Sequence, residues 1–297
     1  MSVHKTVLLN ETIDGLNLTD KSLVLDCTFG GGGHSREILK RFPKAKIIAL
    51  DQDKSVWDGN DERISFHNEN FSDLDKVLKG EKVDGIIFDL GLSSDQLENS
   101  GRGFSFLKDE PLLMTMMANP NEEDLTAEDI VNTWEEKNLA DIIYGYGEEK
   151  FSRRIARAIV EARSKARIKT TFDLVKIISD SVPAVYRRGR LHFATRTFQA
   201  LRIAVNDELR VLQTGLEKGF DALKGGGRMS VITFHSLEDR IVKKFFKALA
   251  SPVGSGPREK EGKAILINKK PILASSEELK KNPRARSAKL RILEKIK

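Results

Sequence analysis

The sequence predicts an α/β fold, a parallel sheet with a block of helices set into the chain. Three observations carry this. Short apolar runs alternate with helical patterns through roughly the first hundred residues. A glycine cluster, DCTFGGGGHS at 26–35, lies between an apolar run and a helical one. A strand-like pattern then returns at Gly225–Ser236, after a long helical stretch.

The elements follow in order. SLVLDCTF reads as a strand, the glycines as a turn, and SREILKRF as a helix. AKIIALDQD reads as a second strand ending in acids, and VDGIIFDLGLSS as a later strand entering a loop. TAEDIVNTW opens a helix on Thr126, with Asp129 three positions on to complete a capping box. FSRRIARAIVEARSKA sets Phe151, Ile155, Ile159 and Ala162 along one helical stripe, with Arg153, Arg154 and Arg157 mostly off it. TTFDLVKIISDSV reads as another helix, stopped by Pro183. RTFQALRIAVNDELRVLQTGL carries Phe198, Leu201, Val205, Leu209, Leu212 and Leu216, the pattern of one long amphipathic helix. After LEDRIVKKFFKALA, the stretch SPVGSGPREKEGKA reads as a mobile loop. ILINKKPI and KLRILEKI read as late edge strands, with the basic turn NPRARSAK between them.

The 297 residues suffice for one large core or one core plus a smaller domain. A hydrophobic share of 39% with 32% charged residues fits a soluble globular protein. No apolar run is long enough to span a bilayer, so no membrane partner is expected. MSVHKTVLLNETIDG has no long apolar core behind its charges, so no secretory leader is expected and the cytoplasm is the simplest setting. A single cysteine, Cys27, excludes an internal disulfide and a thiolate zinc cluster. With five scattered histidines, no metal site is expected.

The net charge of +6 is uneven. Residues 150–210 hold 15 Lys/Arg against 5 Asp/Glu, and residues 243–297 hold 16 against 5. Two basic blocks on an acidic body point to a polyanion partner, nucleic acid first.

A glycine cluster after a strand lets a ligand meet backbone N–H groups at a helix N-terminus. The cluster lacks the Gly-Lys-Ser/Thr ending of a Walker loop and is no clean GxGxxG fingerprint. Asp51 ends the next strand, where an acid accepts both hydroxyls of a ribose. Asp89 ends a third. Glycines, acid and acid at three strand ends favour a nucleoside-containing cofactor. This pattern barely separates a nicotinamide dinucleotide from S-adenosylmethionine, and the basic blocks tilt the choice to the methyl donor.

Several long stretches carry a resemblance. They are HKTVLL at 4–9, DCTFGGGGHS at 26–35, DLGLSSDQL at 89–97, RGFSF at 102–106, YGEEKFSRRIARAIVEAR at 146–163, ATRTFQALRIAVNDEL at 194–209, ITFHSLEDRIVK at 232–243 and NPRARSAKLR at 282–291. From end to end and in order, the chain resembles the bacterial RsmH (MraW) family of 16S rRNA cytosine-N4 methyltransferases. The resemblance implies a Rossmann-like class I S-adenosylmethionine-dependent methyltransferase fold, with a helical domain inserted after the fourth strand. On that basis residues 1–107 and 210–297 form the methyltransferase domain, and 108–209 a mostly helical substrate-recognition domain. It implies S-adenosyl-L-methionine as donor and the N4 of the cytosine commonly numbered 1402 as acceptor. The expected partner is 16S rRNA within the small ribosomal subunit. Oligomeric state stays open, a homodimer included.

By the same resemblance, Gly32, Gly33, His34, Asp51, Phe71, Asp89 and Gln96 contact the cofactor. The glycines and His34 would approach the methionine part through backbone. Asp51 would hold the ribose, Phe71 lie against adenine, and Asp89 and Gln96 frame the polar end. One departure stands out: where family members commonly read PLDMRMD, this chain reads PLLMTMM, so Leu113 and Thr115 replace an acid and an arginine. Another is Phe193, where members usually have proline.

Cytosine N4 is a poor nucleophile, because its lone pair is shared with the ring. The (Asp/Asn/Ser)-Pro-Pro-Tyr tetrapeptide of many amino methyltransferases is absent, and the corresponding strand end is Asp89-Leu90-Gly91-Leu92 followed by Ser93 and Ser94. Asp89 or the serine loop is therefore expected to accept from N4–H. His235, after a late strand, is a second candidate to take the proton or pair with a phosphate, and Glu238 and Asp239 are expected to cap the helix that follows. Cys27 reads as a small buried thiol. The basic blocks supply the RNA-binding candidates Arg153, Arg154, Arg157, Arg187, Arg188, Arg190, Arg196, Arg284, Arg286, Lys289 and Arg291. The rivals are a methyltransferase acting on another nucleic acid, a non-catalytic ribosome-assembly factor on the same fold, and a nicotinamide oxidoreductase, for which two basic blocks have little use.

Overall fold

The computed structural model describes residues 5–57, 59, 61–118, 120–121, 123–252 and 262–296, the side chains of residues 94 and 95 excepted. Residues 253–261 of the expected mobile loop lie outside the described residues.

The chain divides into two compact units, Met1–Gly91 with Leu209–Lys297, and Leu92–Glu208. The first holds α1 (Leu9–Leu16), β1 (Leu23–Asp26), α2 (Gly33–Arg41), β2 (Lys46–Leu50), β3 (Ile64–His67), α3 (Leu74–Leu78) and β4 (Val83–Asp89). The second holds α4 (Ser94–Glu98), α5 (Ala127–Thr133), α6 (Glu136–Gly145), α7 (Ser152–Arg163), α8 (Thr171–Ser181), α9 (Ala184–Arg187) and α10 (Thr195–Asn206). The first unit then resumes with α11 (Glu208–Ala222), β5 (Leu223–Thr233), α12 (Ser236–Ala250), β6 (Ala264–Leu266), α13 (Ser276–Lys281) and β7 (Lys289–Lys295).

The seven strands run β3-β2-β1-β4-β5-β7-β6. The first five are parallel, and β7 is antiparallel to both β5 and β6. This is the Rossmann-like order of class I methyltransferases, as expected. The order reverses between β1 and β4, and in such sheets ligands sit beyond the strands' carboxyl ends at that point.

The apolar runs are continuous because both faces of the sheet are covered. Leu25, Ile48, Leu50, Ile86 and Phe88 join one core cluster with Leu212, Leu216 and Phe220 of α11 and Val242 and Phe246 of α12. Their neighbours Val24, Ile47, Ala49 and Ile87 face the other way, against Ile13 and Leu16 of α1 and Ile38 and Leu39 of α2. The alternation is the period-two pleat of a strand buried on both sides.

The helical unit has its own core, with Leu112, Met114, Ile130, Leu139, Ile143, Ile155, Ile159, Leu174, Ile178 and Leu201 buried together. Capping boxes start α5 (Thr126 with Asp129) and α8 (Thr170 with Asp173). The long amphipathic helix expected from 196 to 216 is broken. Asp207 is left-handed (φ 47°), so α10 ends at Asn206 and α11 begins at Glu208. Asn206 explains the break. Its Nδ2 donates to the Met114 carbonyl and its Oδ1 accepts from the Met116 N–H, both at 2.8 Å. A side chain so held fixes the last turn of α10, and hydrophobic periodicity does not register it. The unit boundary falls at this break. At the other end the unit begins at Leu92, earlier than the expected 108.

Candidate active site

Each parallel strand delivers one polar group to the carboxyl edge of the sheet. β1 delivers Asp26, which is 2% exposed. Its Oδ2 accepts from Ser35 Oγ at 2.6 Å and its Oδ1 from the Thr28 N–H at 3.2 Å. Burial raises its pKa to about 6 against those two bonds, with Asp51 adding to the rise. Thr28 in turn accepts the Asp89 N–H on its Oγ1 at 2.6 Å. The end of β1 is thereby laced to the end of β4. Neither Asp26 nor Thr28 was singled out from sequence. An acid in a strand followed by CT carries no distinctive spacing.

The glycine turn is left-handed at Gly30 (φ 49°) and Gly32 (φ 69°). A Cβ at Gly32 would lie 2.7 Å from the Phe29 ring, and one at Gly33 would lie 1.8 Å from Thr6 Oγ1. These two glycines are required by the chain's own packing, whatever they also offer a ligand. Gly32 caps α2 without a side-chain bond, which leaves first-turn N–H groups of that helix for other partners.

Asp51 follows β2 and is half-buried. Its Oδ2 accepts from the Gly30 N–H at 2.8 Å and its Oδ1 from the Asp53 N–H at 2.9 Å. Both bonds fix the carboxylate against the glycine turn. Asn68, after β3, donates to the Asp51 carbonyl at 2.9 Å. Phe71 follows, half-buried, with its ring edge-on to Phe88 at 5.4 Å and close-packed on Gly215. It is both a core aromatic and a side chain at the ligand edge.

Asp89 ends β4, its side chain 19% exposed. His34 Nδ1 lies 3.7 Å from its Oδ2, and His34 itself is 5% exposed. The other oxygen, Oδ1, is buried and has no hydrogen-bond partner among the described residues. Desolvation raises the Asp89 pKa to about 8, with the charges of Asp26 and Glu238 adding to it. Cys27 is buried, and its thiol is pushed up by desolvation and by Asp26, so it is a packed side chain and no nucleophile.

His235 caps α12. Its Nδ1 accepts from the Glu238 N–H at 3.4 Å, while Glu238 Oε2 accepts from the N–H groups of Phe234 and His235 at 2.8 and 3.2 Å. Nε2 lies 3.1 Å from Glu238 Oε1, a charge-pair distance without hydrogen-bond geometry. Both ring nitrogens face one glutamate, which favours the capping role for this histidine over proton transfer. Glu238 caps as expected. Asp239 does not, because it pairs with Arg291 of β7 and with Lys289.

In the helical unit, Ser93 and Gln96 cap α4 reciprocally. Gln96 Oε1 accepts from the Ser93 N–H at 3.0 Å, and Ser93 Oγ from the Gln96 N–H at 3.1 Å. Ser94 is the first residue of α4, and its side chain lies outside the described residues. Thr115 is 3% exposed and donates to the Met117 carbonyl, while the buried Arg102 donates to the carbonyls of Thr115 and Met116. The turn that holds the departure from the family pattern is thus internally bonded.

The basic candidates differ in exposure. Arg153, Arg154 and Arg157 are exposed and line a groove of about 480 Å³ between α7 and α8. Arg187, Arg188 and Arg190 are exposed, and Arg196 is half-buried with its guanidinium on the Glu148 carbonyl. Arg286 is exposed and Arg284 half-buried. Arg291 is a correction: it is 7% exposed and holds Asp239 with Nε at 2.8 Å, so it is a structural ion pair and no RNA contact. Lys289 is partly spent on the same acid at 3.4 Å. Sequence reasoning also missed a cluster under α9. The fully buried Glu149 accepts from the Tyr186 hydroxyl and the Phe151 N–H, and Lys150 lies over both aromatic rings.

Comparison with known proteins places the chain in a family. The model of the MraW methylase family matches residues 1–296. A protein of Clostridium botulinum named ribosomal RNA small subunit methyltransferase H is 49% identical over 99% of both chains. A protein of the same name from Lactobacillus johnsonii is 47% identical over 99% of both. Among solved structures, an rRNA methylase from Streptococcus thermophilus aligns over 100% of both chains at 12% identity, with a TM-score of 0.44, too low to add to what the strand order shows. A full-length match to the family model and near half identity to those relatives leave one conclusion: the chain belongs to the MraW methylase family.

Proposed function

We propose that this protein transfers a methyl group from S-adenosyl-L-methionine to the exocyclic N4 of the cytosine numbered 1402 in 16S rRNA, within the small ribosomal subunit. Family membership supports a methylase, and the names of the relatives support ribosomal RNA of the small subunit as its substrate. The single observation in the molecule that carries the reading is Asp89 Oδ1. A buried carboxylate oxygen without a donor costs free energy until a ligand N–H supplies one. It sits at the carboxyl end of β4, the strand beside β1 at the point where the strand order reverses.

The residues present fit the methyl donor. The uncapped start of α2 offers backbone N–H groups to the carboxylate of its methionine part. Asp51, pinned by Gly30 and Asp53, stands where it would accept from ribose hydroxyls. Phe71 offers an aromatic edge or face to adenine. When bound, the cofactor would supply an electrophilic methyl on a sulfonium, whose S–C bond would break to leave a neutral thioether as the amine nitrogen takes the methyl.

The chain's own part is to present that amine. Asp89 accepts a hydrogen bond from N4–H, which draws the nitrogen lone pair out of conjugation with the ring, and its carboxylate holds the proton released after transfer. With a pKa raised to about 8, Asp89 is largely protonated at neutral pH in the free protein, so both tasks require it to lose that proton first, which a positive sulfonium bound nearby would favour. The target base leaves its stack, at a cost of a few kcal/mol. Exposed arginines outside the site position the RNA through phosphates.

Calorimetry and single-turnover kinetics test this together. Wild-type protein is expected to bind the donor, and Asp89→Ala, at saturating donor, to lose on the order of 10²–10³ in methyl transfer. Transfer undiminished in Asp89→Ala contradicts the assignment of Asp89, and no donor binding by folded wild type contradicts the reading as a whole.

A further inference from the structure

The helical unit carries three rings that the methyl-transfer reading does not use. His192 is sandwiched, its ring 4.3 Å from Phe106 at an interplanar angle of 3° and 4.2 Å from Phe193 at 29°. Phe198 closes the inner end, edge-on to Phe106 at 5.7 Å. The three stacked rings are only half-buried, whereas Phe198 is buried. Leu107 (73% exposed) and Leu191 (48% exposed) flank the stack along the chain. A soluble protein has little reason to leave such a strip bare unless something covers it.

The charge around the strip says what covers it. Arg187, Arg188 and Arg190 precede His192 within five residues and are all exposed. Residues 150–208 hold 14 Lys/Arg against 5 Asp/Glu. Asp109 and Glu110, close to Phe106 in sequence, accept from the Phe172 and Gly103 N–H groups, and Asp173 caps α8. The surroundings of His192 disfavour its charged form. Its Nδ1 accepts from the Ala194 N–H, and burial lowers its pKa. A neutral, flat π-surface next to a run of arginines is the combination that binds single-stranded nucleic acid, bases on the rings and phosphates on the cations.

We infer that the Phe106–His192–Phe193 stack, with Arg187, Arg188 and Arg190, is a platform on which an unpaired base of the RNA substrate stacks. The inference rests on the reading that the substrate is RNA. Phe193 supplies the third ring of the platform.

The test uses full-length protein and a short single-stranded RNA carrying 2-aminopurine. Wild type is expected to bind it and quench the probe's fluorescence. His192→Leu and Phe193→Leu keep apolar bulk but lose the π-face. Together they are expected to weaken binding on the order of tenfold and abolish quenching, with the salt slope unchanged. His192→Phe alone, which keeps a ring at both positions, is expected to bind and quench as wild type does. Arg187, Arg188 and Arg190 changed to Ala instead reduce the salt slope by about 2, at roughly 0.7 per phosphate contact. Retained S-adenosylmethionine binding and melting temperature show that each variant is folded. If wild type binds the RNA and the double leucine variant binds and quenches equally, the platform is refuted. If wild type binds no RNA at all, the RNA reading itself falls, which is a distinguishable failure.

Discussion

At the residue scale, Asp89 is a buried acid held at a cost. Its folded pKa of about 8 stands above the ordinary carboxylate value of 3.8. A group with a raised folded pKa stabilises the fold fully below its unfolded pKa, and that contribution is lost as pH rises toward the folded value. Between pH 4 and 8 the protein therefore loses stability on this account. Asp89→Asn removes the effect. We predict that it raises the melting temperature at pH 8, by a few degrees for roughly 1–2 kcal/mol, and that the gain shrinks as pH falls toward 4. Thermal melts across that range check it, and a gain that grows as pH falls contradicts it. Asp51 and Asp89 were legible from sequence, because a strand end is visible as an apolar run that stops on an acid. Asp26 and Thr28 were not, since their roles depend on β1 lying against β4, a non-local pairing. Arg291 misled for a related reason: a basic residue in a basic block reads as surface, and only strand β7 crossing to Asp239 shows that it is buried.

At the element scale, the glycine turn and the start of α12 are the two joints that set the site. Gly33→Ala forces a Cβ onto Thr6, so a loss of about 1–3 kcal/mol is expected. Thr6→Ala in the same chain removes the 1.8 Å clash and should restore part of it. Urea melts of the single and double variants measure both, and no recovery in the double variant places the strain elsewhere. His235→Ser keeps a capping side chain, whereas His235→Ala loses it at about 0.5–2 kcal/mol. If His235 serves as the cap, the serine variant keeps methyl transfer near the wild-type rate with an unaltered pH profile. A large rate loss with a changed profile instead makes the histidine a proton carrier. Helix starts were readable at Thr126 because the capping-box spacing is local. The end of α10 was not, because Asn206 takes its partners from a turn far away in sequence.

At the scale of the whole molecule, strand order and charge distribution carry the function. The strand–glycine–helix–strand rhythm announced the parallel sheet, and both faces proved buried in alternation as that rhythm requires. Where the helical unit begins was harder to read, since Leu92 continues the chain out of β4 with no break in composition. Among the described residues no helix is long and apolar enough to cross a membrane. The exposed arginines of α7 should act as phosphate contacts. Changing Arg153, Arg154 and Arg157 to Ala is expected to weaken RNA binding and lower the salt slope by about 2. Arg291→Ala should lower the melting temperature and leave the slope unchanged. Equal slopes for wild type and the triple variant would remove α7 from the RNA surface.

The most direct measurement is nucleoside analysis of small ribosomal subunits from a strain lacking this protein, after incubation with purified protein and isotope-labelled S-adenosylmethionine. The label is expected in N4-methylcytidine at the cytosine numbered 1402, and to be nearly absent when Asp89→Ala replaces wild type. Label in any other nucleoside, or in none, contradicts the account.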